Sequence, residues 1–321
     1  MRVSLKDDSS GLPPMPRERL KDVADEVKAQ PETLADFAEA KLEKVPAGSI
    51  FVGAGDSYAA AVAGFYVSNG RCIALDPYSL LASPEMASGR DVVFVSSSGR
   101  TSSNVAAARR VMGVARRTWA LTADDKSKLA RATNEIVKIP MEYVPRTTGM
   151  LSFSLSLLAV VRMSSSLGSC DFGRAWRWAR KQSSAVRYGT GTTYFLGNSA
   201  AFALSLYAAA KGYELLGAKC HAELLEEFSH KEVFSLRKQD SVVVFACFDP
   251  AGMGEKLCRL LGSEGYDARS IAGDGSATER LFGSVFATQL AVLREASARR
   301  LPEPKFISSR VSLAVSDSMI Y

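Results

Sequence analysis

An open α/β architecture of two tandem parallel-sheet modules, preceded by capping helices, is expected from three features of the chain. Short apolar runs alternate with helical stretches from Ser49 onward, and the same strand and helix pattern starts again at Thr193. Apolar residues make up 47% of the 321 positions, enough for one large core or two of ordinary domain size.

Residues 1–48 carry helical periodicity in Leu20, Val23, Val27, Leu34, Phe37 and Leu42, interrupted by Pro31 and ended by the Pro46-Ala-Gly turn. They read as two capping helices. The first module, 49–165, contains the runs SIFVGA, RCIALD, DVVFVSSS, RTWALTA and EIVKIP with helical stretches between them. Parallel neighbours need such crossovers and become buried on both faces, which explains the unbroken apolar strands. Residues 166–191, with an amphipathic Trp176/Trp178 stretch, read as a helical connector. The second module, 192–321, repeats the pattern: YFLGN takes the place of FVGAG, and SVVVFACF that of DVVFVSSS. It closes with a helix over 277–300 and a tail after Pro302 that no periodicity assigns.

Composition excludes several function classes. The net charge of +6 is spread along the chain, and no RNP, zinc-finger or basic-zipper pattern occurs, so a nucleic-acid partner is not expected. The longest nearly uncharged apolar stretch, Met150 to Val161, falls short of the roughly 20 residues of a membrane span. The amino-terminal stretch has no apolar signal region, and a cytoplasmic protein is expected. Five cysteines without C-x-x-C spacing suit free thiols better than disulfides or a metal site.

Two turns carry the candidate chemistry. SSSGRT, from Ser96 to Thr101, ends a buried strand and opens an Ala-rich helix. Backbone N–H groups there point outward with the positive end of the helix behind them. Hydroxyls of Ser96, Ser98 and Thr101 would complete a metal-free phosphate cradle, and Gly99 allows close backbone approach. The simpler reading is that Ser98 or Thr101 only caps the helix. The second turn, GAGDSY, brings Gly55, Asp56 and Ser57 to the same end of the sheet. It lacks the full G-x-G-x-x-G pattern of a dinucleotide site. A carboxylate at Asp56 repels phosphate unless it faces sugar hydroxyls or caps the helix.

GAGDSY followed by VSSSGRTSSN, in a duplicated α/β frame, resembles the sugar isomerase (SIS) domain family, whose members bind phosphosugars through an S-x-S-G-x-T turn. The resemblance covers residues 45–315 as two SIS modules, each a flavodoxin-like three-layer α/β/α unit. It implies phosphate contacts from Ser96, Ser98 and Thr101, with Ser57 as a further contact. Arg100 departs from the small, acidic or amide residue usual in that turn. The second module has CFDPAGM at the equivalent place, so only the first is expected to hold phosphate.

Glu214 in AAAKGYELL and His230 in LLEEFSHKEV are spaced like the catalytic Glu and His of double-SIS enzymes, namely the isomerase part of glucosamine-6-phosphate synthase and the archaeal phosphoglucose/phosphomannose isomerases. By that resemblance Glu214 moves a proton between C1 and C2. His230, given by the neighbouring subunit of a homodimer, opens the sugar ring. Pro145-Arg146 resembles the P-R motif of the phosphoglucose/phosphomannose isomerases, whose arginine stabilises a cis-enediolate. A carboxy-terminal cation is implied as well, Lys305 or Arg310 in PKFISSR. His221 in KCHAELL has helical neighbours and reads as a surface or interface residue.

The resemblance implies a carbohydrate-pathway enzyme of glycolysis or gluconeogenesis that interconverts glucose or mannose 6-phosphate and fructose 6-phosphate, without metal or cofactor. A glucosamine-6-phosphate deaminase would share the phosphate turn, Glu214 and His230. A non-catalytic phosphosugar-binding regulator is the alternative of another class. Against it stand the Glu/His spacing and an amino-terminal region that does not look like a DNA-binding segment.

Overall fold

Apolar strands with no polar alternation have no solvent face, and here they assemble into two separate all-parallel sheets. This computed structural model describes residues 20–142, 148–165 and 167–321. Helix α1 (Leu20–Ala38) precedes the first alternating run: β1 (Ile50–Val52), α2 (Asp56–Val67), β2 (Ile73–Leu75), α3 (Pro77–Ala82), β3 (Asp91–Val95), α4 (Ser102–Val111), β4 (Arg117–Thr122), β5 (Glu135–Lys138) and α5 (Leu151–Ser164). Helix α6 (Phe172–Gln182) leads into the second: β6 (Thr193–Gly197), α7 (Ala200–Lys211), β7 (Cys220–Glu223), α8 (Leu225–His230), β8 (Ser241–Phe245), α9 (Met253–Ser263), β9 (Asp267–Ile271) and α10 (Ala277–Ala298). Two carboxy-terminal helices follow, α11 (Lys305–Ser308) and α12 (Arg310–Ile320).

The sheets run β2-β1-β3-β4-β5 and β7-β6-β8-β9, every pair parallel. Each first strand thus lies between the next two in chain order, and β1, β3, β6 and β8 are buried throughout. The junctions after the first strands share a backbone conformation. Gly55 has φ 58° and ψ −129°, and Ser199 has φ 55° and ψ −137°. A Cβ on Gly53 would lie 2.5 Å from the Ser57 backbone, and one on Gly197 2.5 Å from that of Ala201. A positive φ is unusual for a serine, so the surrounding turn imposes it.

One apolar core runs through both halves. It joins Phe51, Val93 and Val95 of the first sheet to Phe195, Val243 and Phe245 of the second through α1, α2, α5, α7 and α10. The opposite face of each sheet has its own smaller cluster, around Val92 and Phe94 and around Leu196 and Val244. Helix α2 packs on α5 and α7. The seam is lined by small side chains, Ala59, Ala60, Ala61 and Ala63 on α2 and Ala200, Ala201 and Ala208 on α7, all buried. Gly64 does the same for the contact of α2 with α5, since a Cβ there would meet Val160 Cγ1 at 2.5 Å.

The amino-terminal segment departs from expectation. Pro31 lies inside one continuous α1 and does not divide two helices. Val23, Val27, Leu34 and Phe37 stay buried on both sides of it, and their packing against α5 and α10 outweighs the hydrogen bond that proline forgoes. All five cysteines are free thiols. Among the described residues no helix is long and apolar enough to cross a membrane.

Candidate active site

Carboxyl ends of the first sheet, the start of α5 and the end of α7 converge on a pocket of about 310 Å³. Its lining includes Asp56, Ser57, Ser96, Ser98, Thr101 and Glu214, so side chains far apart in sequence meet in one place.

The hydroxyl turn forms where β3 stops. Gly99 has φ 58°, and a Cβ there would sit 2.1 Å from Ser127 Oγ, so no other residue fits. Ser98 Oγ accepts from the Arg100 backbone N–H at 3.1 Å. Ser96 Oγ and Thr101 Oγ1 are 3.4 Å apart. Thr101 occupies the cap position of α4 without making a side-chain cap bond, which leaves its hydroxyl to the pocket. The first turn of α4 has no acidic residue to neutralise its positive end. Ser152 and Ser156 of α5 add two hydroxyls that the sequence motif does not contain. Arg100 is not among the lining residues and lies 3.5 Å from Asp124.

Opposite these hydroxyls sits a buried charge cluster. Lys211, the last residue of α7, is fully buried. Its ammonium reaches Asp56 Oδ2 at 2.7 Å, Glu214 Oε2 at 2.5 Å and the Thr148 carbonyl at 2.5 Å. An ammonium has three donors, and all three are used. Burial alone would lower its pKa, but Asp56 and Glu214 outweigh that and raise it, so Lys211 stays charged. Gly149, at φ 61°, makes room for the contact: a Cβ there would be 2.6 Å from Asp56 Oδ2.

Glu214 stands on a single π turn, Gly212–Leu216, that continues α7 and aims the carboxylate back at Lys211. Burial pushes its pKa up to about 7, with Lys211 opposing and Asp56 adding to the rise. Its side chain keeps 36% of its surface open and lines the pocket. Burial raises the Asp56 pKa too, against Lys211. Asp56 Oδ1 is buried with no hydrogen-bond partner among the described residues. Sequence alone suggests sugar contact or helix capping for Asp56; pairing with Lys211 is what the structure adds.

A polar layer beneath the pocket holds this arrangement in place. Tyr207 stacks on Phe153 at 3.8 Å between centroids, and its hydroxyl accepts from Gln289 Nε2 at 2.9 Å. Ser154 Oγ donates to Gln30 Oε1 at 2.7 Å, tying α5 to α1. Above the pocket α12 contributes Leu313, Ser316, Asp317 and Ile320, an element that sequence periodicity leaves unassigned.

The other candidates lie apart. His230 ends α8 with 70% of its side chain exposed, 3.3 Å from Glu226, and does not line the pocket of its own chain. His221 sits on strand β7 and not among helical neighbours; its Nε2 is 3.2 Å from Glu232 Oε1. Lys305 is exposed on α11 beside Gly217, outside the pocket lining. Arg146 and the Arg310 side chain lie outside the described residues. Lys211 is the residue that motif reading misses. A single cation in the otherwise apolar run AAAKG, one helical turn before Glu214, was its signal.

No known protein family matches the sequence, and no curated protein does. Solved structures do resemble it. The chain is 21% identical to glucosamine-6-phosphate deaminase from Thermotoga maritima, over 88% of this chain and 97% of that one, with a TM-score of 0.68. For tagatose-6-phosphate ketose/aldose isomerase from Escherichia coli the identity is 15%, over 88% and 96%, with a TM-score of 0.67. For the C-terminal domain of glucosamine-fructose-6-phosphate aminotransferase from Francisella tularensis it is 15%, over 86% and 95%, with a TM-score of 0.66. Likeness along nearly whole chains at such low identity establishes a shared fold, one in which parallel sheets flanked by helices recur among phosphosugar isomerases and their relatives.

Proposed function

We propose that this protein is an aldose–ketose isomerase of hexose 6-phosphates, acting in the cytoplasm on glucose or mannose 6-phosphate and fructose 6-phosphate. The observation that carries the reading is Glu214, a carboxylate with its pKa raised to about 7 and open to a pocket whose other wall is the hydroxyl turn. Ser96, Ser98 and Thr101, with Ser57, would hold the phosphate. Glu214 would take the proton from C2 of the opened aldose and return it to C1. Hydrogen and electrons stay within the sugar, so no oxidant is consumed. Lys211 would fix the carboxylate and keep its positive charge next to the developing enediolate.

Arg146 would stabilise the same charge, and Lys305 or Arg310 would supply a further cation. His230, exposed on its own chain, would open the ring in the pocket of a second copy. On this reading residues 49–165 and 192–321 are two copies of one module joined by 166–191, with 1–48 as the cap. The matched strand orders and the matched junctions at Gly55 and Ser199 support the duplication.

A second reading, glucosamine-6-phosphate deaminase, is favoured by the likeness to the Thermotoga maritima enzyme. Incubating the protein with fructose, glucose, mannose and glucosamine 6-phosphates, and measuring both sugar products and ammonia, separates the two. Aldose–ketose exchange without ammonia is expected. Ammonia from glucosamine 6-phosphate would replace the isomerase by the deaminase, and saturable binding with no turnover would leave a phosphosugar-binding regulator.

A further inference from the structure

The amino ends of the second sheet, remote from the hydroxyl turn, form an open cleft of about 1510 Å³. Its walls come from the loop before β6, the starts of β6 to β9 and the last turns of α10. Five cations face it, Arg187, Lys219, Arg237, Arg294 and Arg299. Three carboxylates do too, and each is already engaged. Asp240 accepts from the Thr192 and Arg237 backbone N–H groups at 2.7 and 2.8 Å. Asp267 is paired with Arg269 at 2.9 Å, and Glu295 with Arg299 at 2.8 Å.

Four positive side chains are left over against one carboxylate with no cation, Asp240, so the cleft keeps a net positive charge of three (4 − 1). Among the described residues none of Arg187, Lys219, Arg237 and Arg294 has a carboxylate within salt-bridge reach. Arg294 is held in place by the Val186 carbonyl at 3.0 Å and Ser183 Oγ at 3.4 Å. Burial pulls its pKa down, the neighbouring Glu295 opposes this, and the like charge of Arg187 adds to the fall, so the two guanidiniums lie close enough to repel each other. The cleft walls include Tyr188 and Tyr194, nearly buried, which keep the local dielectric low and concentrate the field. Thr190, Thr192 and Ser235 add hydroxyl donors.

We propose that this cleft is a second anion site, which takes a multiply charged phosphate ester or polyphosphate of small-molecule size. Convergent guanidiniums with hydroxyls recognise phosphate oxygens through charge-assisted bonds. The volume exceeds that of the candidate active-site pocket, and a single phosphate dianion would leave part of that positive charge unmatched. A ligand with two or more linked phosphate groups fits the charge better.

The test uses calorimetric titration of the full chain with inorganic pyrophosphate at constant ionic strength. The native protein should bind saturably, and Lys219→Glu with Arg237→Glu should weaken this binding at least tenfold. Both residues are exposed, so the fold should tolerate the change. Should that variant melt early, Lys219→Gln with Arg237→Gln serves instead, with at least a fivefold loss expected. Two controls isolate the cleft. Lys21→Glu with Lys256→Glu changes net charge equally at exposed sites elsewhere and should leave affinity within twofold. Ser98→Ala with Thr101→Val disables the hydroxyl turn and should also leave the cleft-dependent binding intact. The proposal is overturned if native protein shows no saturable binding, if the cleft variant loses less than stated, if the charge control loses as much, or if the hydroxyl-turn variant abolishes all binding. That last outcome would assign pyrophosphate to the substrate pocket and leave the isomerase reading standing.

Discussion

Replacing Lys211 by methionine would leave Asp56 and Glu214 facing each other across a gap that no cation fills. Removing one partner of a buried ion pair costs about 3–5 kcal/mol, so the urea midpoint should fall clearly. Adding Asp56→Asn should recover part of the loss, because the uncompensated charge then shrinks; no recovery would mean that the cost lies in packing. Glu214 gives a pH signature. With its pKa at about 7 it is half protonated near neutrality, so kcat/KM should drop about tenfold per pH unit on the acid side of that value. Glu214→Gln should lose about 10²- to 10⁴-fold in turnover with phosphosugar affinity retained. Stability has a definite sign too. An acid raised from 4.5 to about 7 is protonated in the folded state while already ionised in the unfolded one, so its contribution fades as pH rises through that window. Thermal melts of native protein and Glu214→Gln should diverge from pH 5 to 7.5, with the variant gaining relative to the native chain.

The turn between β3 and α4 is self-contained, which makes it both testable and readable. Ser98→Ala with Thr101→Val should weaken phosphosugar binding by about 2–4 kcal/mol in calorimetry, at about 1–2 for each charge-assisted bond. Unchanged affinity would move the phosphate elsewhere. Its hydroxyls, its glycine and the helix start fall within six consecutive residues, so local sequence announces them. Lys211 is the opposite case. Its partner Asp56 lies 155 positions away, and only the docking of α2 on α7 joins them. Pro31 misleads for the same reason in reverse, since a local breaker is overruled by packing that local sequence does not display. Helix α12, which touches its neighbour α11 but reaches a pocket built from residues far upstream, leaves no legible trace before its place over that pocket is known.

Two sheets that share one core should unfold together. Calorimetry is expected to give a single transition with calorimetric and van't Hoff enthalpies in agreement, in spite of the repeated topology. Two resolved transitions would show the halves to be independent. The borrowed histidine is tested at the level of the assembly. Inactive Glu214→Gln and His230→Ala chains, refolded together, should recover about a quarter of native activity, because half the dimers are mixed and one site in each is whole. No recovery, with mixed dimers verified by mass spectrometry, would assign each site to a single chain.

The alanine seam between the halves works as a mechanical gauge. Asp56 rides on the first turn of α2 and Lys211 on the last turn of α7, so the thickness of the seam sets the clearance between Asp56 and the wall that carries Lys211 and Glu214. At the contact of α2 with α5, Gly64→Ala inserts a shim one methyl thick against Val160, at 2.5 Å, and so displaces the helix that carries Asp56. Overpacking of this kind costs about 1–3 kcal/mol, and Val160→Ala should relieve it. In an assembly gauged this way the permitted error at the charge cluster is set some distance from it, by side chains that have no polar atoms of their own to offer.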